Sequence, residues 1–204
     1  MDRKSELENE ISNIWEIFIN ANECFHYSFY LHKPDTQDEF DYLNKSNDLQ
    51  YIRHVMWRMT IIELSKLFSG SKTRDRYNIQ HLIGKLKKDG NFGNIGISDE
   101  TLNKWETEIE KNKEIIDYIL ILRDKIYAHT DSDKTKYLNI DLSFKQIEFL
   151  LKIVEVIIRD IHSSVFDAYA DVETVVFDRK RFNIVKILAE AEKNRIQRLL
   201  DEFS

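Results

Sequence analysis

The sequence has few of the residues that bend, break or cross-link a chain. Its 204 residues include one cysteine, one proline and five glycines. The single cysteine, Cys24, cannot form an internal disulfide, which is typical of a reducing compartment. Few turn-forming residues, together with 42% hydrophobic and 32% charged residues, favour long helices over a sheet with tight turns. We therefore predict an all-α protein of the cytoplasm.

Signals for membranes and cofactors are also missing. We find no signal peptide and no apolar run long enough to span a bilayer, so no membrane partner is expected. The six histidines and the cysteine lack His-x3-His or Cys-x2-Cys spacing, and no glycine-rich phosphate loop occurs. We predict no metal site and no cofactor.

Basic charge is concentrated in one segment of an otherwise acidic chain. The formal net charge is −6, which argues against a general nucleic-acid binder. Residues 51–88, however, carry nine basic and two acidic side chains. Two interpretations stay open: these cations solvate the outer faces of helices, or they form a patch that faces phosphate.

Apolar residues recur at helical spacing through most of the chain. Ser143 and Gln146 have capping-box spacing and open the clearest pattern, and Ser5 with Glu8 predicts the start of the first helix. Residues 48–68 are apolar around most of their circumference, which predicts a central and mostly buried helix. The helices are predicted at about 5–31, 48–68, 78–88, 98–127, 143–165 and 180–203.

These elements predict an antiparallel helical bundle of about five to six helices. Residues 33–47 are acidic and rich in turn formers, so they are expected to form the longest loop. Residues 171–178 alternate and contain β-branched side chains, which is compatible with an extended segment. We place a bundle domain at 1–170 and a C-terminal helical extension at 171–204, packed on the bundle or on a dimer interface.

The fourth predicted helix ends in a polar motif. Its apolar run, residues 119–122, is followed at once by Arg123 and Asp124, and then by His129. This Arg-Asp-x4-His pattern resembles the signature of the HEPN superfamily, the small helical domains named for higher eukaryotes and prokaryotes nucleotide-binding. With the flanking segments Ile-Glu-Leu-Ser-Lys-Leu-Phe and Leu-Ile-Gly-Lys-Leu-Lys-Lys, the chain looks most like the abortive-infection (Abi U-type) branch over roughly residues 48–165.

The resemblance implies a metal-independent ribonuclease that acts in phage defence or as a toxin. HEPN ribonucleases form homodimers in which Arg and His of both chains line one cleft. On an unbroken α-helix, Arg123 and His129 would sit about 9 Å apart along the axis and about 120° apart around it, so one helix does not easily bring them to one site. Either the helix unwinds before His129, or two copies pair, and the resemblance favours pairing.

In this hypothesis RNA is the substrate and the motif supplies the chemistry. His129 is the acid and base, Arg123 is the electrostatic clamp on the phosphate, and Asp124 orients either of them. Five further cations are candidates for contacts along the RNA strand. They are Arg74, Arg76, Lys85, Lys87 and Lys88.

Control by a partner is part of the same hypothesis. A cognate antitoxin or a nucleotidyltransferase is a candidate partner. In some HEPN toxins a nucleotidyltransferase modifies a tyrosine two residues after the histidine. Asp131 stands at that position here, which argues against this mode of silencing.

Three other interpretations stay open. In the first, Arg123 and His129 are merely helix-end residues, with Arg123 paired to Asp117 or Asp131. In the second, the protein is a non-catalytic adaptor dimer that binds a nucleotide or a protein. In the third, the protein is an antitoxin-like subunit whose acidic N-terminal third covers a basic partner. If the basic segment 51–88 shares a groove with Arg123 and His129, the nuclease is favoured; if they face opposite sides, the adaptor is.

Overall fold

The computed structural model describes residues 2–71, 75–127, 141–171 and 183–203. Each of these ranges contains helices. Within these ranges there is no strand, and the all-α prediction is confirmed. The elements are α1 (Arg3–His32), α2 (Gln37–Lys45), α3 (Asn47–Phe68), α4 (Ile79–Leu86), α5 (Asp99–Lys111), α6 (Lys113–Leu122), a π-helical segment (Arg123–Tyr127), α7 (Phe144–Phe166) and α8 (Ile184–Glu202).

The helices outnumber the five to six that were predicted, for two reasons. Residues 33–47 are not one long loop, because the Thr36 side chain accepts a hydrogen bond from Glu39 N and starts α2. The predicted helix at 98–127 is divided at Asn112, which separates α5 from α6, and its last turn is π-helical.

Side-chain caps fix where the long helices begin. The capping box of Ser143 with Gln146 is confirmed at the start of α7. The box expected from Ser5 is wrong: Asp2 caps α1, with its Oδ1 2.7 Å from Ser5 N, so the helix begins at Arg3. A carboxylate at this position also stabilises the positive end of the helix dipole.

The main core lies between α1, α3 and α7, with α4, α5 and α6 packed around them. Trp105 of α5 is buried and its indole Nε1 donates to Asp160 Oδ2 of α7 over 2.9 Å, which joins these two helices. The apolar pattern predicted from Ser143 onwards is the buried face of α7. Its buried residues are Ile147, Leu150, Leu151, Ile153, Val154, Ile157, Ile158, Ile161 and Val165.

A smaller apolar cluster holds α8 against α2 and the end of α1. Val185 of α8 is fully buried there, and its backbone N–H donates to the Tyr30 hydroxyl over 3.1 Å. The domain boundary at 170/171 stays a prediction. Most of the segment 171–178, expected to be extended, lies outside the described residues.

The prediction that α3 is mostly buried is wrong for its N-terminal half. From Thr60 to Phe68 the helix is largely core, but Tyr51, Ile52 and Met59 are 71%, 40% and 36% exposed. The apolar circumference was identified correctly. Its N-terminal half lacks a neighbouring helix on one side within the described chain.

Candidate functional site

The arginine of the motif sits where α-helical geometry ends. Ile116, Ile119 and Leu122 bury the inner face of α6, and the helix then widens into the π-helical segment from Arg123 to Tyr127. A π-helix pairs residues i and i+5, and such turns are frequent at functional sites. The angle calculated for an unbroken α-helix therefore does not apply between Arg123 and His129. His129 itself lies outside the described residues.

Two carboxylates hold the Arg123 guanidinium, which is 7% exposed. Nη1 donates to Asp75 Oδ2 and Nε donates to Asp124 Oδ1, each over 2.9 Å. Burial by itself would lower the pKa of Arg123, but its hydrogen bonds to these two carboxylates and their negative charge outweigh burial and raise the pKa. Among the described residues, Nη2 has no hydrogen-bond acceptor.

The connection between α3 and α4 positions Asp75. Asn78 is buried, and its Nδ2 donates to the carbonyls of Asp75 (2.6 Å) and Ser71 (3.3 Å). Its Oδ1 accepts from His81 N over 2.8 Å and caps α4. One buried amide therefore ties the Asp75 carbonyl to the start of α4, and from there the Asp75 carboxylate reaches Arg123.

The helix-end interpretation expected Arg123 to pair with Asp117 or Asp131. The pairing with Asp117 is wrong, because Asp117 is exposed on α6 and Arg123 pairs with Asp75 and Asp124. Asp131 lies outside the described residues. Asp75 was missed because it precedes Arg123 by 48 positions and no local spacing connects them.

A row of side chains on α3 holds the other end of the π-helical segment. Arg58 Nη2 donates to the Tyr127 carbonyl, and the nearby Trp57 side chain acts to lower the pKa of the Tyr127 phenol. The His54 ring meets the Tyr127 ring edge-on at 6.4 Å. Burial raises the pKa of the Tyr127 phenol. Sequence analysis missed these three residues, although their i, i+3, i+4 spacing inside the basic segment was a usable signal.

The five cations expected along the RNA strand are not all gathered at this site. Lys85 pairs with Glu10 and Lys87 with Glu106, each over 2.6 Å. Both lysines lie at the end of α4 remote from Asn78, and an eight-residue helix is about 12 Å long.

The other three cations have different surroundings. Lys88 is exposed, and Arg76 is exposed above the Tyr77 ring, 5.5 Å from its centroid. Arg74 lies outside the described residues. The basic segment is thus divided: Arg58 adjoins the motif, whereas Lys85 and Lys87 are neutralised elsewhere. Their role in RNA binding stays a prediction.

A separate cleft of about 620 Å³ lies between α1 and α7. Phe18 and Phe25 are buried at its base, and His26, half-buried there, has its pKa lowered to about 4 by burial. No residue of the π-helical segment lines it. Phe25 and Tyr30 are core residues.

The described ranges contain no group of three or more His, Cys, Asp or Glu side chains arranged to hold a metal ion. None of the described helices has the length and apolar character needed to cross a bilayer.

Comparison with known proteins identifies the family. The family model HEPN_AbiU2, described as AbiU2, matches residues 4–200. No curated protein and no solved structure matches the chain. The match extends well beyond the range 48–165 on which the resemblance was based, and it includes α1 and nearly all of α8. The chain therefore belongs to the AbiU2 family, an abortive-infection branch of the HEPN-like helical proteins.

Proposed function

We propose that this protein is a metal-independent endoribonuclease of a phage-defence or toxin system, active as a homodimer whose two motifs line one cleft. The observation that carries the proposal is the fixed guanidinium of Arg123. Two of its nitrogens are held by Asp75 and Asp124, and Nη2 has no acceptor among the described residues. An arginine oriented in advance loses little entropy when it binds a phosphate.

The reaction uses the 2′-hydroxyl of RNA as the nucleophile. The His129 imidazole accepts the 2′-hydroxyl proton as that oxygen attacks the adjacent phosphorus. The bond from phosphorus to the 5′-oxygen breaks, and an imidazolium returns a proton to the leaving oxygen. The products are a 2′,3′-cyclic phosphate and a 5′-hydroxyl. Arg123 stabilises the charge that builds on the phosphate oxygens, and Asp124 orients the guanidinium through its hydrogen bond to Nε.

The test is incubation of wild-type protein and His129→Ala with mixed RNA in EDTA. We expect the wild type to cleave and His129→Ala to lose at least about 100-fold in rate, the usual contribution of a general acid or base. His81→Ala is the matched control, because His81 lies on α4 outside the motif. The proposal is wrong if the wild type cleaves no RNA, or if His129→Ala cleaves as fast as the wild type.

A second candidate function is the non-catalytic adaptor dimer that binds a nucleotide or a partner protein. The observation in its favour is that Asp75 and Asp124 already neutralise Arg123, in a chain of net charge −6. This candidate predicts binding of a nucleotide or a partner protein without RNA cleavage. Growth arrest on expression that is lost in both Arg123→Ala and the charge-conserving Arg123→Lys excludes the antitoxin-like interpretation.

A partner that controls activity also belongs to the proposal. A cognate antitoxin or nucleotidyltransferase is the expected kind of partner. Asp131 in place of a tyrosine argues for control by binding rather than by tyrosine modification.

A further inference from the structure

The N-terminal half of α3 has basic side chains and no acidic ones. The fourteen residues between Asp48 and Glu63 include Arg53, His54 and Arg58 and contain no aspartate or glutamate. The chain as a whole has more acidic than basic side chains, 36 against 30. Positive charge is therefore concentrated in the part of α3 that contacts the π-helical segment.

Arg58 is an accessible cation beside the motif. It is exposed, and among the described residues no carboxylate pairs with it, whereas Lys85, Lys87 and Arg123 are each paired. Its Nη2 donates to the Tyr127 carbonyl, and its other nitrogens have no acceptor in the described ranges. The guanidinium is thus held at one nitrogen and keeps its remaining donors for a ligand.

The charges around Arg123 show why this second cation matters. Arg123 lies between Asp75 and Asp124, so one positive and two negative charges give this group a formal charge of −1. A guanidinium that two carboxylates already neutralise attracts a distant phosphate only weakly. Arg58, at the other end of the same π-helical segment, brings the formal charge to zero. Positive charge that a phosphate can reach is therefore supplied by Arg58.

His54 adds an aromatic ring next to Arg58. The two side chains are four residues apart on α3, so they lie on the same side of the helix, and both are exposed. The His54 ring meets the Tyr127 ring edge-on at 6.4 Å between centroids. Bases of single-stranded RNA stack on aromatic rings, histidine included, while arginines hold the phosphates. An arginine and a histidine in this arrangement suit one nucleotide.

We infer that His54 and Arg58 form a subsite for one nucleotide of the RNA strand, beside the phosphate that Arg123 holds. The inference rests on the proposed function and deepens it, because it names residues that position the substrate. Tyr127 lies about 6 Å along the helix from Arg123. Since phosphates of a stacked strand follow one another at roughly 3.4 Å, the subsite lies one or two nucleotides from the bond that breaks. Arg58 holds the phosphate there, and the base stacks on His54.

Binding of an RNA that cannot be cleaved tests the subsite. The probe is a fluorescent single-stranded 2′-O-methyl oligoribonucleotide, which lacks the nucleophile, and anisotropy is measured over a series of salt concentrations. We expect His54→Ala to weaken binding at least about 5-fold, because one base loses its stacking surface. Arg58→Ala should reduce the slope of log affinity against log salt by about 0.7, the contribution of one phosphate contact on a single strand. Arg58→Lys should keep the slope, since it keeps the charge.

Arg53→Ala is the matched control. Arg53 has no carboxylate partner within the described chain either, but it lies about 140° around α3 from Arg58. This variant should bind the probe with the affinity and salt dependence of the wild type. A wild type that does not bind the probe overturns the inference, and so do His54→Ala and Arg58→Ala variants that bind it as the wild type does.

RNA cleavage by the same variants separates this inference from the proposed function. Binding that depends on His54 and Arg58, in a wild type that cleaves no RNA, refutes the ribonuclease and leaves the subsite standing. Cleavage by His54→Ala and Arg58→Ala with the kcat and KM of the wild type refutes the subsite and leaves the ribonuclease standing.

Discussion

Arg123 Nη1 lies 2.9 Å from Asp75 Oδ2, and this largely buried pair joins the end of α6 to the connection between α3 and α4. The Arg-Asp-x4-His motif of this chain is thus not a property of one helix end. Its arginine depends on a carboxylate that comes 48 positions earlier in the chain.

Asp75→Ala should destabilise the fold, because it leaves the buried Arg123 with one carboxylate instead of two. Breaking a largely buried pair in this way costs roughly 2–4 kcal/mol. For a chain of this length, the melting temperature should fall by about 5–10 °C. Differential scanning calorimetry measures the change.

Asp117→Ala is the matched control for that experiment. Asp117 is exposed on α6, so its replacement should change the free energy of unfolding by no more than about 0.5 kcal/mol. Equal losses in the two variants would mean that the Arg123–Asp75 pair contributes nothing particular to stability.

Arg58→Ala should loosen the π-helical segment. The lost hydrogen bond to the Tyr127 carbonyl contributes about 1 kcal/mol, since Arg58 is largely exposed. Hydrogen–deuterium exchange should therefore accelerate at residues 123–127 while the rest of α6 keeps its protection. Arg53→Ala, a change five positions earlier on α3, should leave that exchange as it is in the wild type. Unchanged exchange in Arg58→Ala contradicts a role for Arg58 in holding this segment.

Two glycines after α3 should respond to alanine with opposite signs. Gly84 lies within α4, and a Cβ there meets no atom within 4 Å, so Gly84→Ala should stabilise the protein by about 0.5–1 kcal/mol. At Gly90 an added Cβ would lie 2.3 Å from the Lys85 carbonyl oxygen, and Gly90→Ala should cost roughly 2 kcal/mol. Urea denaturation of the two variants checks both signs, and stabilisation by Gly90→Ala would show that the turn is not closed as described.

His26 should make stability depend on pH. Its pKa is lowered to about 4 by burial, from an ordinary value of 6.5. The unfolded chain therefore binds the proton first as pH falls. Stability from His26 is complete above pH 6.5 and is lost progressively between pH 6.5 and about 4.

His26→Gln isolates that dependence from the titration of carboxylates. The difference in unfolding free energy between wild type and His26→Gln should change by roughly 1–3 kcal/mol across this range, after allowance for the partial exposure of the ring. Chemical denaturation at several pH values measures it. A difference that stays constant from pH 7 to pH 4 would exclude a shifted His26.

Sequence reasoning succeeded where the determining interactions are local. The capping box at Ser143 and the apolar spacing of α7 involve residues three and four apart, and both were predicted as they are found. The motif at Arg123 and Asp124 was found in the same way, because its residues are near neighbours in the chain.

The features that the sequence did not predict depend on tertiary contacts. Asp75 reaches Arg123 only through the fold of the connection that Asn78 orders. The burial of α3 was overestimated because apolar spacing shows which faces can be covered, and does not show how far the neighbouring helices extend along them. Helix propensities do not predict the π-helical segment that begins at Arg123. Apart from the charged pair Arg123 and Asp124, the residues from Leu122 to Tyr127 are ordinary helix formers.

The widened turn at Arg123–Tyr127 also bears on how this segment would respond to the loss of one residue. A turn that pairs i with i+5 contains one residue more than an α-helical turn. A sequence one residue shorter could close this turn to ordinary α geometry and keep both anchors, Asp75 at its start and Arg58 at its end. We expect deletion of one residue within 123–127 to be absorbed locally, so that neither α6 nor α3 has to shift.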